Sequence, residues 1–390
     1  MGASAMTPRD GTATDEPLPP APSIADPVPE PVPAPETAPP AEPPPLDPEL
    51  DDEPPLPLSD AVDPWAGPAR WIKHRVVPRE SLSQIAARYG VKLTNLRKWN
   101  RLDADDIVKP RDKLKIYARR FPPAREKMKH VVAEGDTWGS IARAYGVSPR
   151  DLRAYNVRKT GRRLDLGEQL QIWIDPVIYE HLQGHVAEPG PTADIYPGGY
   201  SVGTPNEGHL INAARIPDSD DYELRFPKGA YGTSHAVEQV VLAMRDFRER
   251  SGFEGKVRFG TMSRINGGEV GHHKSHQSGR DIDIRLPVRA GVPEGLRPKV
   301  RTIDWEATWH LINAFIDTGE VAVIFLEYKR QKYVFRQAKK MGIPEDEIDR
   351  VLQWPVGRAA SRGMVRHSPG HEVHIHVRFR CGPHETECTD

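Results

Sequence analysis

Residues 74–100, HRVVPRESLSQIAARYGVKLTNLRKWN, and residues 130–156, HVVAEGDTWGSIARAYGVSPRDLRAYN, align without a gap. His74 falls on His130, Ser81 on Thr137, and Ile85-Ala86 on Ile141-Ala142. Tyr89-Gly90-Val91 falls on Tyr145-Gly146-Val147, Leu96 on Leu152, and Trp99-Asn100 on Tyr155-Asn156. Such a repeat is one supersecondary unit used twice. Each copy opens on a short strand, at 74–77 or 130–133. Ser81 or Thr137 then stands where a helix N-cap belongs. Leu82, Ile85, Ala86 and Tyr89 recur behind it at helical spacing, and Gly90 or Gly146 sits where a helix-ending glycine belongs. A second helix runs from about Thr94 or Pro149 to Asn100 or Asn156. Leu114 with Ile116, or Leu170 with Ile172, marks a closing strand. The unit is therefore β-α-α-β, over 71–118 and 127–174.

Working outward, residues 1–70 are dominated by Pro, Ala, Glu and Asp, as in PVPEPVPAPETAPPAEPPPLDPELDDEPPLPL at 27–58. Proline removes backbone donors and favours extended polyproline conformations, so this segment reads as a disordered, semi-stiff spacer. Overall, 40 of 390 residues are proline and 37% are hydrophobic. A net charge of −1 gives no bulk electrostatic attraction for nucleic acid or anionic lipid. No apolar run approaches the roughly 18 residues that span a bilayer. Met1 to Pro8 lacks a basic segment followed by an apolar one, so no secretory signal is visible.

Beyond a polar connector near 176–191, residues 192–390 read as one α+β domain. Strands are expected at 257–262, 281–286, 321–326 and 373–380, and helices at 235–250, 305–318 and 344–352. Without a βαβ rhythm, these elements imply an antiparallel sheet with helices packed beside it. Two histidine-rich segments stand out, GHHKSHQSGRDIDI at 271–284 and HEVHIHVR at 371–378. In a strand, alternate residues share a face. His374 and His376 therefore face one site while Ile375 and Val377 face the core, and Asp281 and Asp283 alternate with Ile282 and Ile284 in the same way. Zinc takes imidazole and carboxylate ligands and keeps one position open in catalytic sites. His276 can complete the set from the preceding loop. Asp281 has a plainer reading, as support for its neighbours or a cap on the loop. Cys381 and Cys388, a close pair in a chain with no other cysteine, read as one disulfide in an oxidising compartment.

The repeats resemble the LysM module, through V-x-x-x-x-S-L-x-x-I-A-x-x-Y-G-V, L-x-x-W-N and L-x-I in the first copy and their counterparts in the second. The resemblance implies binding to N-acetylglucosamine-containing glycans such as peptidoglycan, in a groove beside the first helix of each module. The first copy departs from the pattern at Pro78-Arg79-Glu80, where the second has Glu134-Gly135-Asp136. That loop adjoins the expected groove, which implies weaker binding by the first copy.

His276-x6-Asp283 with His374-x-His376 resembles the LAS-type zinc peptidases. The strings SHQSGRDIDI and HxxHIHVRxRC look like the penicillin-insensitive murein endopeptidase family, as do Tyr231-Gly232, the S-x-x-x-G-G from Ser263 to Gly268, and the cysteine pair. The resemblance implies that His276, Asp283 and His376 bind Zn2+, with His273 a further metal-side histidine. It implies that His374 is the catalytic base, with His371 beside it. Asp304 and His310 lie between the two motifs without a secure match. The implied reaction is zinc-dependent hydrolysis of D-alanyl–diaminopimelyl cross-links, outside the cytoplasm, in the periplasm or after secretion. A D,D-carboxypeptidase on the same fold and an inactive glycan-binding wall protein are the alternatives. Because the histidine motifs lie downstream of residue 270, the repeats are expected to act as a separable anchor.

Overall fold

The computed structural model describes residues 63–157, 163–271, 273–293 and 297–389. Most of the spacer expected at 1–70 lies outside these residues. Its last part does not: strand β1, Ala66–Arg75, begins before position 71. It runs antiparallel to β2, Lys113–Arg120, and Phe121 N–H donates to the Trp65 carbonyl at 2.8 Å. Between the strands lie α1, Leu82–Arg88, and α2, Leu93–Asn100. Ser81 caps α1 by accepting from Gln84 N–H, and the Gln84 side chain returns the bond to the cap, which satisfies two otherwise orphaned donors. The second repeat has β3, Glu126–Val131, α3, Trp138–Ala144, α4, Pro149–Tyr155, and β4, Gln169–Ile174. The opening strands thus end where the sequence placed their start. Leu96, Ile85 and Ile116 centre one small core, and Leu152, Ile141 and Ile172 the other.

Residues 176–184 are not a polar connector but a helix, α5, Pro176–Gly184. Asp175 caps it and Pro176 occupies the first turn, where its missing N–H costs nothing. Ile178 wedges this helix between the second repeat and a hairpin of β5, Tyr200–Gly203, and β6, Gly208–Ile211. The fit requires a glycine at 146: its φ is +65, close to the +63 of Gly90, and a Cβ there would stand 2.5 Å from Ile178 Cγ2.

The remaining elements are β7 (Ala214–Arg215), β8 (Tyr222–Leu224), β9 (Tyr231–Gly232), α6 (Ser234–Ser251), β10 (Val257–Phe259), β11 (Asp281–Arg285), α7 (Trp305–Ile316), β12 (Val321–Phe325), α8 (Tyr328–Lys340), α9 (Glu345–Val351), β13 (Val365–Arg366) and β14 (His374–Phe379). Six of the strands form one sheet, in the order β13-β12-β14-β11-β10-β8. Its centre is antiparallel, whereas β13 and β8 join the edges in parallel. Ile282, Ile284, Ile375, Val377 and Phe379 bury one face of the sheet in a core shared with α6 and α7. Burying side chains of this size is worth roughly 1.5–3 kcal/mol each. The opposite face of the central strands is left to charged and polar groups.

The repeats and this domain share one compact unit, and the first repeat is not a separable anchor. Arg88, 1% exposed, donates to Asp175 at 2.5 Å and to Thr386 Oγ1 at 3.1 Å. It also reaches the Pro123 carbonyl and lies 3.6 Å from Glu387. Arg125 pairs with Glu387 and stands 3.5 Å from Glu80. Arg120 donates to the carbonyls of Thr386 and Cys388. The residues at 385–388 thus receive three arginines from the N-terminal side. The disulfide Cys381–Cys388 closes this segment onto the end of β14.

Candidate active site

The polar face of the sheet is set by strand register. Asp283 lies opposite His376, Asp281 opposite Arg378, and Arg285 opposite His374. Alternation along two paired strands therefore gathers two carboxylates and two imidazoles on one surface. Phe325, opposite His376 on β12, walls the site, its ring 5.4 Å from that of His376 and 6.1 Å from that of His371.

His276 enters from the loop before β11 with φ 67, a left-handed conformation that costs a non-glycine residue about 1–3 kcal/mol and persists only when its surroundings hold it. Three hydrogen bonds do so. Its N–H donates to Asp281 Oδ2 at 3.2 Å, its carbonyl accepts from Ser263 Oγ at 2.6 Å, and its ring Nδ1 faces the Met262 carbonyl at 3.0 Å. A carbonyl only accepts, so Nδ1 carries the proton. Nε2 is left pointing 3.4 Å from Asp283 Oδ1.

His376 is held in a similar way. Its Nε2 lies 3.3 Å from Asp281 Oδ1, and its Nδ1 lies 3.4 Å from Asp283 Oδ1. Asp281 is fully buried and also pairs with the Arg378 guanidinium at 2.8 and 3.2 Å. Burial disfavours its charge, but Arg378 and His376 hold Asp281 well below the usual carboxylate range. Asp281 therefore orients the His376 ring and holds the His276 backbone, in line with its plainer reading.

The five expected histidines gather around Asp283. His374 Nε2 is 3.7 Å from Asp283 Oδ1, and His273 Nδ1 is 3.9 Å from Asp283 Oδ2. Among the described residues, two sets have mutually close ligand atoms, within 4.8 Å: His273, His276 and Asp283, and Asp283, His371 and His374. Asp283 belongs to both. His376 belongs to neither set, although it touches Asp283, and His371, expected beside the base, sits in a ligand-like set. Asp304 instead caps α7 by accepting from Ala307 N–H at 3.0 Å. His310 lies within α7 and lines a different cleft with Trp309 and Arg350.

These donors fit a transition-metal ion. Among the described residues, the buried atoms His276 Nε2 and Asp283 Oδ1 have no hydrogen-bond partner, and orphaned buried polar atoms are costly. A ligating imidazole characteristically gives its other nitrogen to a carbonyl or carboxylate, as His276 does to Met262 and His376 to Asp281. Burial opposes ionisation of Asp283, yet His276, His376 and His374 keep it well below its ordinary value. Burial also disfavours a charged His276, but Asp283 outweighs this and raises it. Burial lowers His374 against the pull of Asp283. Burial, with repulsion from His376 and His374, takes His371 down to about 3.

A family model described as LysM domain matches residues 74–116 and 130–173. The chain carries two LysM domains. It is 30% identical over 99 residues to the membrane-bound lytic murein transglycosylase D of Escherichia coli strain K12, which covers 24% of this chain and 21% of that protein. The chain thus spans about a fifth of that relative's length. It is 24% identical over 206 residues to a penicillin-insensitive murein endopeptidase of Salmonella heidelberg, covering 49% of this chain and 69% of the relative. The crystal structure of the Bacillus cereus spore cortex-lytic enzyme SleL matches 26% of this chain and 22% of its own at 20% identity, with a TM-score of 0.12.

Beside α1, the first LysM domain has a surface groove of about 650 Å³ lined by Pro78, Arg79, Arg97, Asp106 and Ile107, which includes the loop where its sequence departs from the second domain. At the site itself, sequence reasoning did not reach the Met262 carbonyl, Arg378 or Phe325. Ser263 stood in the S-x-x-x-G-G string, but only its bond to His276 gives it a role.

Proposed function

We propose that this chain is a zinc-dependent peptidoglycan endopeptidase, acting outside the cytoplasm and held on glycan strands by its LysM domains. The observation that carries the reading is the pair of buried, unpartnered atoms His276 Nε2 and Asp283 Oδ1, the first on a ring anchored through Nδ1 at the Met262 carbonyl. His276, Asp283 and His376 would hold the ion, with His273 at the exposed rim. A bound zinc would supply Lewis acidity to the scissile carbonyl and to an attacking water. The Asp281–Arg378 pair keeps His376 aimed, and the Met262 carbonyl keeps the proton of His276 on Nδ1 and its Nε2 free.

His374 is the proton carrier in this reading. Its lowered pKa leaves the ring neutral near pH 7, so Nε2 can take a proton and give it to the leaving amine. His371 donates from Nδ1 to the Pro369 carbonyl, which leaves its Nε2 as an acceptor beside His374. The disulfide agrees with an oxidising compartment, and the likeness to a murein endopeptidase agrees with a peptide cross-link as substrate. Mass analysis of muropeptides released from cross-linked sacculi, with and without chelator, tests the proposal. Loss of cross-linked dimers only in the unchelated sample is expected. Release of terminal D-alanine alone would assign the chain to carboxypeptidase chemistry instead.

A further inference from the structure

The junction of the two LysM domains with the C-terminal domain encloses a cleft of about 750 Å³, within the size range of ligand sites. Its walls are Arg79 and Gln84 from the first LysM domain, Arg143 and Arg150 from the second, and Ile265 and Asn266 from the loop that leads to His276. It is a different surface from the groove beside α1, although Arg79 and Ser81 border both.

The cleft is preformed. Arg79 Nε bonds Asp151 Oδ1 at 2.9 Å across the two LysM domains. The Arg143 guanidinium stacks 4.0 Å over the Tyr196 ring, and the Tyr196 hydroxyl donates to the Arg143 carbonyl at 2.7 Å. Asn212 Nδ2 donates to the Val147 carbonyl at 3.1 Å. Binding to such a site loses little free energy to ordering its walls.

Its charge is one-sided. Three guanidiniums line it, and among the described lining residues Asp151 is the one carboxylate, already engaged by Arg79. Asn266 offers an amide suited to peptide N–H and C=O groups, and Ile265, 54% exposed, offers an apolar contact for a small side chain. The floor continues into the metal-side loop: Leu210 N–H donates to the Asn266 carbonyl at 3.1 Å, and Gly268 N–H donates to the carbonyl of Gln277, the residue after His276, at 2.9 Å.

We infer that this three-way cleft is an accessory substrate site for a short peptide bearing free carboxylates. It would hold the acidic stem peptide next to the bond being cut. The inference rests on the peptidoglycan reading for the identity of that peptide, but not for the chemistry of the cleft.

Calorimetry on the full chain tests it, with an uncross-linked muropeptide carrying free stem carboxylates and the same compound with those carboxylates amidated. Arg150→Glu is the variant; it sits on the surface in the first turn of α4, where a carboxylate suits the helix dipole. It should weaken binding of the acidic muropeptide about fivefold, more at low salt, and leave the amidated compound unaffected. On a soluble cross-linked muropeptide, KM should rise by a similar factor with kcat unchanged. Equal affinity of wild type and Arg150→Glu for the acidic compound would overturn the inference, as would an equal loss for the amidated one. Binding is read without turnover, so a chain that hydrolyses nothing would refute the endopeptidase and leave this result standing.

Discussion

The two LysM domains have one backbone and two different relations to the rest of the molecule. Gly135 and Gly167 in the second domain have φ 85 and 78, and the equivalent residues of the first, Arg79 and Arg111, have φ 70 and 80. A left-handed residue with a Cβ costs roughly 1–2 kcal/mol, so the first domain carries strain that the second avoids. For Arg79 the return is visible, since its side chain pairs with Asp151. Arg88 differs in the same way. Its equivalent in the second domain is Ala144, which is exposed, whereas Arg88 is buried against Asp175 and Thr386. The histidine lock differs too: Glu80 binds His74 in a buried setting, and Asp136 binds His130 in a half-exposed one. The first domain is therefore fitted to the C-terminal segment through buried arginines, whereas the second meets its neighbours through Ile178, Tyr196 and Asn212.

Breaking Arg88 should have the largest effect. Arg88→Ala leaves Asp175, Thr386 and Glu387 facing an unfilled, buried position, and removal of one partner from a buried ion pair costs about 3–5 kcal/mol. Chemical denaturation should show that loss, whereas Ala144→Ser in the second domain should change the midpoint little. A small effect of Arg88→Ala would mean that the first domain is only loosely seated.

A smaller effect sharpens the same contrast. Arg111→Gly should stabilise the chain by about 0.5–1 kcal/mol, the relief of left-handed strain less the entropy lost by glycine. Gly167→Arg should destabilise it by a similar amount. Both are measured by the shift in denaturation midpoint, and a destabilising Arg111→Gly would show that the Arg111 side chain holds something in place.

Much of this was legible in the sequence, for physical reasons that differ by region. The repeats were legible because caps, helical spacing and the closing strand are local signals. The gathering of His374, His376, Asp281 and Asp283 was legible because strand period alone puts alternate residues on one face. Register was not, because it depends on long-range pairing, and so the bond between Asp281 and Arg378 was out of reach. Helix α8, YKRQKYVFRQAKK, escaped notice because only Gln331, Val334 and Ala338 are buried, a stripe too narrow among its charges. Helix α5 was passed over as a connector although Asp175-Pro176 is a helix-start pair. Arg88 reads as an ordinary outward-facing helix residue until the 385–388 segment is folded over it.

We propose a zinc ion held by His276, Asp283 and His376, with His374 moving the proton. The most direct test is the metal content of purified wild type, His376→Ala and His374→Ala, measured beside turnover of a cross-linked muropeptide. Wild type should carry about one zinc at this site. His376→Ala should lose both metal and hydrolysis. His374→Ala should keep the metal and lose roughly 10²–10⁴-fold in rate. Loss of zinc from His374→Ala with retention in His376→Ala would contradict the account and move the ion to the set of Asp283, His371 and His374.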